Sequence, residues 1–177
     1  MAKGWRLLTR VSIIKRRTAR FSGRVVVVAG VAVAGAAGPL APPADAQAPV
    51  ESIAAIPGTC RSLVVAGEDL GAECRGPALS FQYGGGRRSF AFPYGDALIS
   101  FSGAAEPGDE GGVRLVLDMI TWGQSESGLQ SAEAEGSCDM ASEGSGAPVI
   151  RCEARTESGV FSVSFESSGE PPEVRRF

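Results

Sequence analysis

Apolar and polar residues alternate with a period of two through most of the chain after residue 58. In GVFSVSFES (159–167), Phe161, Val163 and Phe165 alternate with serines at positions 162 and 164. PALSFQY (77–83) and RRSFAFPY (87–94) alternate in the same way on either side of three glycines. Because successive side chains of a strand point to opposite faces, this period predicts β-strands, and the short glycine turn predicts a hairpin.

Turn residues divide the pattern into about eight such strands, spaced by roughly 10–15 residues. VRLVLDMITW (113–122) is apolar on both faces, so a helix competes with a strand there, but its β-branched residues and flanking glycines favour the strand. The sequence therefore predicts an all-β fold, a small antiparallel barrel or sandwich of about eight short strands. In this strand we expect Val113, Leu115, Leu117 and Met119 to share one face.

The first 46 residues differ from the rest in charge. They hold eight basic residues and one acid, followed by the uncharged run VVVVAGVAVAGAAGPLA and small residues suited to cleavage after Ala46 or Ala48. This pattern predicts a signal peptide and a periplasmic or secreted protein that meets the membrane only through its export signal. An uncleaved anchor is the alternative, although the run is shorter than the roughly 20 residues that span a bilayer. Arg16-Arg17 leaves the export route open between the general and twin-arginine pathways.

The predicted domain organisation follows from these patterns. We expect a signal peptide (1–46), an exposed leader (47–58), a single β domain (59–169) and a polar C-terminal tail (170–177).

Four cysteines, all after the signal, point to disulfides, because an exported chain folds in an oxidising compartment. Thirteen residues with central turn residues separate the members of each of two pairs, which are Cys60 with Cys74 and Cys138 with Cys152. Zinc would require closer cysteine spacing or histidine, and a catalytic thiol needs a histidine, which the chain lacks. We therefore expect two disulfide-stapled hairpins, the first with Arg61 opposite Glu73.

The register of the second hairpin follows from its cysteines. If they face each other, the turn centres on Ser145, Asp139 lies opposite Arg151, and Glu135 lies opposite Arg155. Opposite charges across a strand pair are favourable, and the cysteine spacing did not impose them.

Composition excludes several functions. Residues 47–177 hold nine arginines against 19 acids, a net charge of −10, so binding to nucleic acid is not expected. The absence of histidine excludes Ser-His-Asp and Cys-His catalysis. GGGRRSF (84–90) lacks the pattern of a phosphate loop, and EPGDEGG (106–112) lacks the ligand spacing of a calcium loop. We expect no cofactor and no metal.

Two sets of residues remain as candidates for a site. Aromatic and arginine side chains dominate binding hot spots, which makes a recognition patch of Arg87, Arg88, Tyr94 and Trp122, with Tyr83, a hypothesis. The alternative is that the aromatics are core residues and the arginines are solvated. Asp118 lies in the most apolar strand, where it is either a buried catalytic acid or an outward residue paired with an arginine.

The order of CRSLVVAG, ALISFSG, RLVLDMI, GSCDM, IRCEA and FSVSFESSGEPPEVRR resembles that of a group of small exported bacterial proteins with paired cysteines and no known activity. The resemblance covers residues 58–176 and implies an exported domain, without implying any functional residue. Export, the two disulfides and the missing catalytic residue types favour a non-catalytic binding or envelope-associated module, whose partner is an unidentified protein or glycan of the envelope. The alternative is a carboxylate-based hydrolase acting on cell-wall or extracellular glycans. The sequence does not indicate an oligomeric state.

Overall fold

The computed structural model describes residues 48–124, 126, 128–142 and 146–177. Within these ranges the chain forms eleven β-strands and no α-helix. The strands are β1 (Val50–Ile56), β2 (Gly58–Val65), β3 (Glu68–Asp69), β4 (Ala78–Tyr83), β5 (Arg87–Tyr94), β6 (Ala97–Pro107), β7 (Val113–Gln124), β8 (Gly128–Ser142), β9 (Pro148–Thr156), β10 (Gly159–Ser167) and β11 (Glu173–Arg176). The predicted all-β, antiparallel fold is confirmed, while the predicted signal peptide and the turn at Ser145 lie outside the described residues.

All eleven strands belong to one antiparallel sheet, in the order β11-β1-β4-β5-β6-β7-β8-β9-β10-β2-β3. The eight strands predicted from the sequence are β2 and β4 to β10. The other three strands, β1, β3 and β11, were not predicted, and β3 and β11 have only two and four residues. β1 lies in the segment expected to be an exposed leader, where it is mostly half-buried, and β11 lies in the predicted polar tail and pairs with β1.

Residues 50–65 connect the two ends of the sheet. Only Pro57 separates β1 from β2, yet β1 pairs with β4 at one end of the strand order and β2 pairs with β10 near the other. The carbonyl oxygen of Pro57 accepts a hydrogen bond from the Ser168 N–H at 2.9 Å. The sheet remains open, with β11 and β3 as its edge strands, but it curls so that its ends approach each other.

Curling places one face of the sheet around a single hydrophobic core. Rings from strands that are distant in the sheet meet there. Phe92 of β5 packs against Phe165 of β10 with ring centroids 5.9 Å apart, and Trp122 of β7 lies 4.9 Å from Phe161 of β10. All four side chains are buried or nearly so. The alternating apolar residues of β5 and β10 thus point inward, as the period of two predicts.

Both predicted disulfides are present, Cys60–Cys74 and Cys138–Cys152. In the second hairpin the register is as predicted, because Cys138 faces Cys152 while Asp139 faces Arg151. Glu135 likewise faces Arg155. These two intrachain bonds indicate that the domain folds in an oxidising, extracellular environment.

One predicted charge pair is wrong. Arg61 does not lie against Glu73. Its Nε donates a 2.7 Å hydrogen bond to the Glu166 carboxylate. The reason is that β2 has β10 as its long neighbour, whereas its own hairpin partner β3 contains only two residues. Cys74 reaches back to Cys60 from an isolated bridge with Tyr94 instead of from a facing strand.

A β-bulge changes the faces of β7 midway. In the pairing with β6, the partners pass directly from Leu117 to Met119, so Asp118 is an extra residue there. In the pairing with β8, two residues of β8 lie opposite Asp118. Before the bulge the odd-numbered residues of β7 point into the core, and after it the even-numbered residues do. Leu117 points into the core, and so does Ile120, whereas Met119 is 41% exposed on the outer face. The prediction that Met119 shares a face with Leu117 is wrong, because a single inserted residue inverts the alternation.

Among the residues that the structure describes, no helix is long and apolar enough to cross a membrane.

Candidate binding groove

A broad groove crosses β4 to β8, mainly on the face of the sheet opposite to the core. Its cavity volume is about 1570 Å³ and it opens to solvent. Most of its lining comes from side chains that alternate with the core residues of these five strands. They are Phe81, Tyr83, Arg87, Ala91, Leu98, Ser100, Ser102, Asp118, Met119, Thr121, Leu129, Ser131 and Glu133. The segment between β9 and β10 contributes Glu157 and Ser158.

The strand register aligns hydroxyl groups in rows across the groove floor. Ser100 of β6 pairs with Thr121 of β7, which pairs with Ser131 of β8, and Thr121 Oγ1 lies 2.9 Å from Ser131 Oγ. Ser102 also lines the groove, whereas its β5 partner Ser89 does not. Ser89 is fully buried, and its Oγ has no hydrogen-bond partner within the part of the chain that the structure describes. Because each hydroxyl can donate and accept, the floor is polar without being charged.

Two aromatic rings form one side of the groove. Phe81 and Tyr83 are two residues apart on β4, so they share a face. Their ring centroids are 6.4 Å apart and their planes differ by 20°, so the two rings are stacked nearly parallel, and we call this pair the aromatic plate. Both residues are half-buried. At the other side of the groove, Met119 and Leu129 are 41% and 56% exposed. The groove is thus polar along its floor and apolar at its two sides.

An ion pair lies beside the plate. Arg87 Nη1 donates to Asp118 Oδ2 at 2.6 Å, and Nη2 donates to Oδ1, so the pair is bidentate. The bulge in β7 places Asp118 outward, where its side chain is 53% exposed against 25% for Arg87. Of the two hypotheses for Asp118, the outward residue paired with an arginine is the one observed. The pair presents planar donors and acceptors at a fixed position.

We expect Arg87→Ala to lower the free energy of unfolding by only about 1 kcal/mol or less, because ion pairs with this much exposure to solvent contribute little. Urea denaturation followed by tryptophan fluorescence measures this effect. Arg61→Ala is the control, since Arg61 and Glu166 form an ion pair outside the groove in which the arginine is more exposed, at 59%. A loss above about 2 kcal/mol for Arg87→Ala alone would contradict this and would mean that the pair supports the fold.

The residues of the predicted recognition patch do not lie together on the surface. Tyr94 and Trp122 are each only 9% exposed and belong to the core. For these two residues, the alternative that the aromatic side chains are core residues is therefore the one observed. Burial raises the pKa of Tyr94, as does the nearby Glu73 carboxylate. Arg87 lies in the groove, whereas Arg88, the next residue of the same strand, points to the opposite face.

Four acids line the groove against two arginines. The acids are Asp118, Glu133, Glu135 and Glu157, and the arginines are Arg87 and Arg155. Two acids have an arginine as a neighbour, since Arg87 binds Asp118 and Arg155 faces Glu135 in the β8–β9 register. The groove therefore carries a small net negative charge. Within the described ranges, no group of three or more His, Cys, Asp or Glu side chains is placed to hold a metal ion.

No protein-family model, curated protein or solved structure matches this chain.

Sequence reasoning missed most of the groove. Phe81 and the groove hydroxyls appeared only as one half of alternating patterns, and Ser100 and Ser131 are 31 residues apart in the chain. One signal for the groove was present in the sequence. Phe81 and Tyr83 alternate with polar residues, so these two aromatic side chains share one face of β4. The period of two identifies both faces of β4 but does not say which one turns toward the core.

Proposed function

We propose that this protein is an exported, non-catalytic binding domain of the bacterial cell envelope, and that it holds its ligand in the groove across β4 to β8. The observation that carries the proposal is the composition of this groove. It combines an aromatic plate, rows of uncharged hydroxyl groups and a fixed Arg87–Asp118 pair on rigid strands. Binding sites typically combine apolar surface with a few oriented polar groups in this way.

Export is supported by two independent features. The charge and apolar pattern of residues 1–46 is that of a signal peptide, and the two disulfides require an oxidising compartment. Cleavage after Ala46 or Ala48 would also leave the fold intact, because β1 begins at Val50. Periplasmic or secreted localisation is the finer part of the proposal.

Intact mass measured on protein from the periplasm or culture medium tests export. We expect a chain that begins at Gln47 or Pro49 and gains the mass of four hydrogen atoms on reduction, since two disulfides open. The same measurement on the membrane and cytoplasmic fractions is the control. A full-length chain with four free thiols would contradict both the export signal and the oxidised state.

Co-sedimentation with isolated cell envelopes tests binding. We expect the purified oxidised domain to sediment with envelopes, and the Phe81→Ala/Tyr83→Ala variant to lose most of this binding because the aromatic plate is removed. Phe177→Ala is the matched control, since Phe177 is an aromatic residue that is 79% exposed and does not line the groove. Equal sedimentation of all three proteins would show that the groove is not the binding site.

A carboxylate-based hydrolase remains a second candidate, because Asp118 and Glu133 line the same groove. Glycosidases need two acids that face each other across the scissile bond. We expect no release of reducing ends from cell-wall or extracellular glycans by the wild-type protein. Release that disappears in both Asp118→Asn and Glu133→Gln, while Glu170→Gln outside the groove stays active, would replace the binding proposal with the hydrolase.

A further inference from the structure

We infer that the ligand of the groove is a neutral polysaccharide chain, which lies across β4 to β8 with one sugar ring stacked on the aromatic plate. This inference rests on the proposed binding function and names the class of ligand. Four properties of the described residues support it, and they concern the plate, the hydroxyl rows, the charge and the strand pairing.

The aromatic plate matches the apolar face of a pyranose ring. A sugar ring carries C–H groups on its faces and hydroxyl groups around its edge. A flat aromatic surface contacts the C–H groups and leaves the hydroxyl groups free to form hydrogen bonds. Phe81 and Tyr83, which are stacked nearly parallel and both line the groove, offer aromatic ring surface for this contact. Their position on one strand keeps this surface rigid, which reduces the entropy lost on binding.

The groove floor matches the edge hydroxyl groups. Sugar hydroxyls act as donors and acceptors at once, and so do the hydroxyls of Ser100, Thr121 and Ser131 in their row. The Arg87–Asp118 pair adds fixed donors and acceptors next to the plate. A lipid chain could use the plate, but it would leave these polar groups desolvated without partners.

Charge favours a neutral ligand over an acidic one. Four acids and two arginines line the groove, and the whole of residues 47–177 has a net charge of −10. A polysaccharide that carries carboxylate or phosphate groups would be repelled by both the local and the overall charge. A neutral chain experiences neither repulsion.

The pairing of the strands disfavours a peptide. Peptides commonly bind to sheets by adding a strand at a free edge. Each of β4 to β8 already has a neighbour on both sides, so the groove offers side chains and no free backbone edge. Five strands at about 4.8 Å spacing also make the floor roughly 19 Å wide, which suits an extended oligosaccharide of several units.

Affinity electrophoresis of the oxidised domain tests this inference. Native gels contain a soluble neutral β-glucan, a neutral α-glucan or the acidic polygalacturonate, and calorimetry with matching oligosaccharides gives Kd. We expect at least one neutral glycan to retard the protein and polygalacturonate not to do so. Phe81→Ala and Tyr83→Ala should each weaken binding about tenfold or more, because truncation of a central aromatic contact has effects of this size. Tyr83→Phe keeps the plate and should stay within about threefold of wild type.

Controls separate this inference from the proposed function. Phe177→Ala should bind like the wild type, and urea denaturation verifies that every variant is folded. Retardation by polygalacturonate alone, or neutral-glycan binding that survives both alanine substitutions, would overturn the inference. Groove-dependent sedimentation with envelopes without binding to any neutral glycan would also overturn it, although the proposed function would stand. If the folded wild-type protein neither sediments with envelopes nor binds a neutral glycan, the proposed function itself would be overturned.

Discussion

Replacement of Gly103 by alanine is expected to destabilise the protein by about 3 kcal/mol or more, at the upper end of what overpacking costs. Gly103 lies in β6 opposite Leu117 of β7, next to the bulge. A Cβ at this position would overlap the carbonyl oxygen of Val116 and come within 2.9 Å of Leu117 Cα. These are backbone atoms of the paired strand, so no side-chain rotation relieves the contact. β6 and β7, which pair at eleven positions, would have to separate.

Gly84→Ala is the matched control for this substitution. The Cβ at residue 84 would meet only the side chains of Glu51 at 3.6 Å and Pro49 at 3.9 Å, both ordinary contacts, and the position does not have a positive φ. We therefore expect Gly84→Ala to change stability by less than about 0.5 kcal/mol, as surface substitutions generally do. Urea denaturation of both variants, followed by tryptophan fluorescence and far-ultraviolet circular dichroism, gives the comparison. Equal stability of the two variants would contradict the close approach of β6 and β7 at Gly103.

Removal of the Cys138–Cys152 disulfide by the double substitution Cys138→Ala/Cys152→Ala is expected to cost about 3 kcal/mol from loop closure alone. A further loss follows because both residues are almost completely buried in the core, at 0% and 1% exposed. Alanine leaves a cavity where each sulfur packed, and a cavity adds to the destabilisation. The staple also holds β8 against β9 at the point where their facing residues align.

The Cys60–Cys74 disulfide provides the matched comparison. Both disulfides have a sequence separation of 14, so the loop-closure contribution is the same for each. Cys60 and Cys74 are only half-buried, and Cys60→Ala/Cys74→Ala should therefore destabilise less than the substitution in the core. Denaturation midpoints of the two double variants, measured without reductant, decide the order. A larger loss for Cys60→Ala/Cys74→Ala would show that burial does not set the difference.

The bulge in β7 connects the fold with the groove. Without the bulge, regular alternation after Leu117 would turn Met119 toward the core and Ile120 outward. With the bulge, Asp118 lies within hydrogen-bonding distance of Arg87, and Ile120 stays in the core. A bulge also bends its strand. The same local irregularity therefore maintains the core and positions the charged pair of the groove.

The sequence by itself determined the class of fold, eight of the eleven strands and both disulfides. These features depend on information that is local in the chain. The period of two marks strands such as β5 and β10, and turn residues mark their ends. Two cysteines separated by a single turn can pair without help from distant segments. The register of β8 and β9 followed from Cys138 facing Cys152, and the opposite charges that then lie across from each other agree with it.

Only the tertiary structure decided which strands are neighbours across long distances and which face of each strand points inward. Arg61 pairs with Glu166 instead of Glu73 because β2 lies beside β10, which no local pattern specifies. The groove exists because the register of five strands aligns Phe81, Ser100 and Ser131 on one surface. Alternation fixes two faces for every strand, but the curl of the whole sheet determines which face encloses the core and which one remains free to bind.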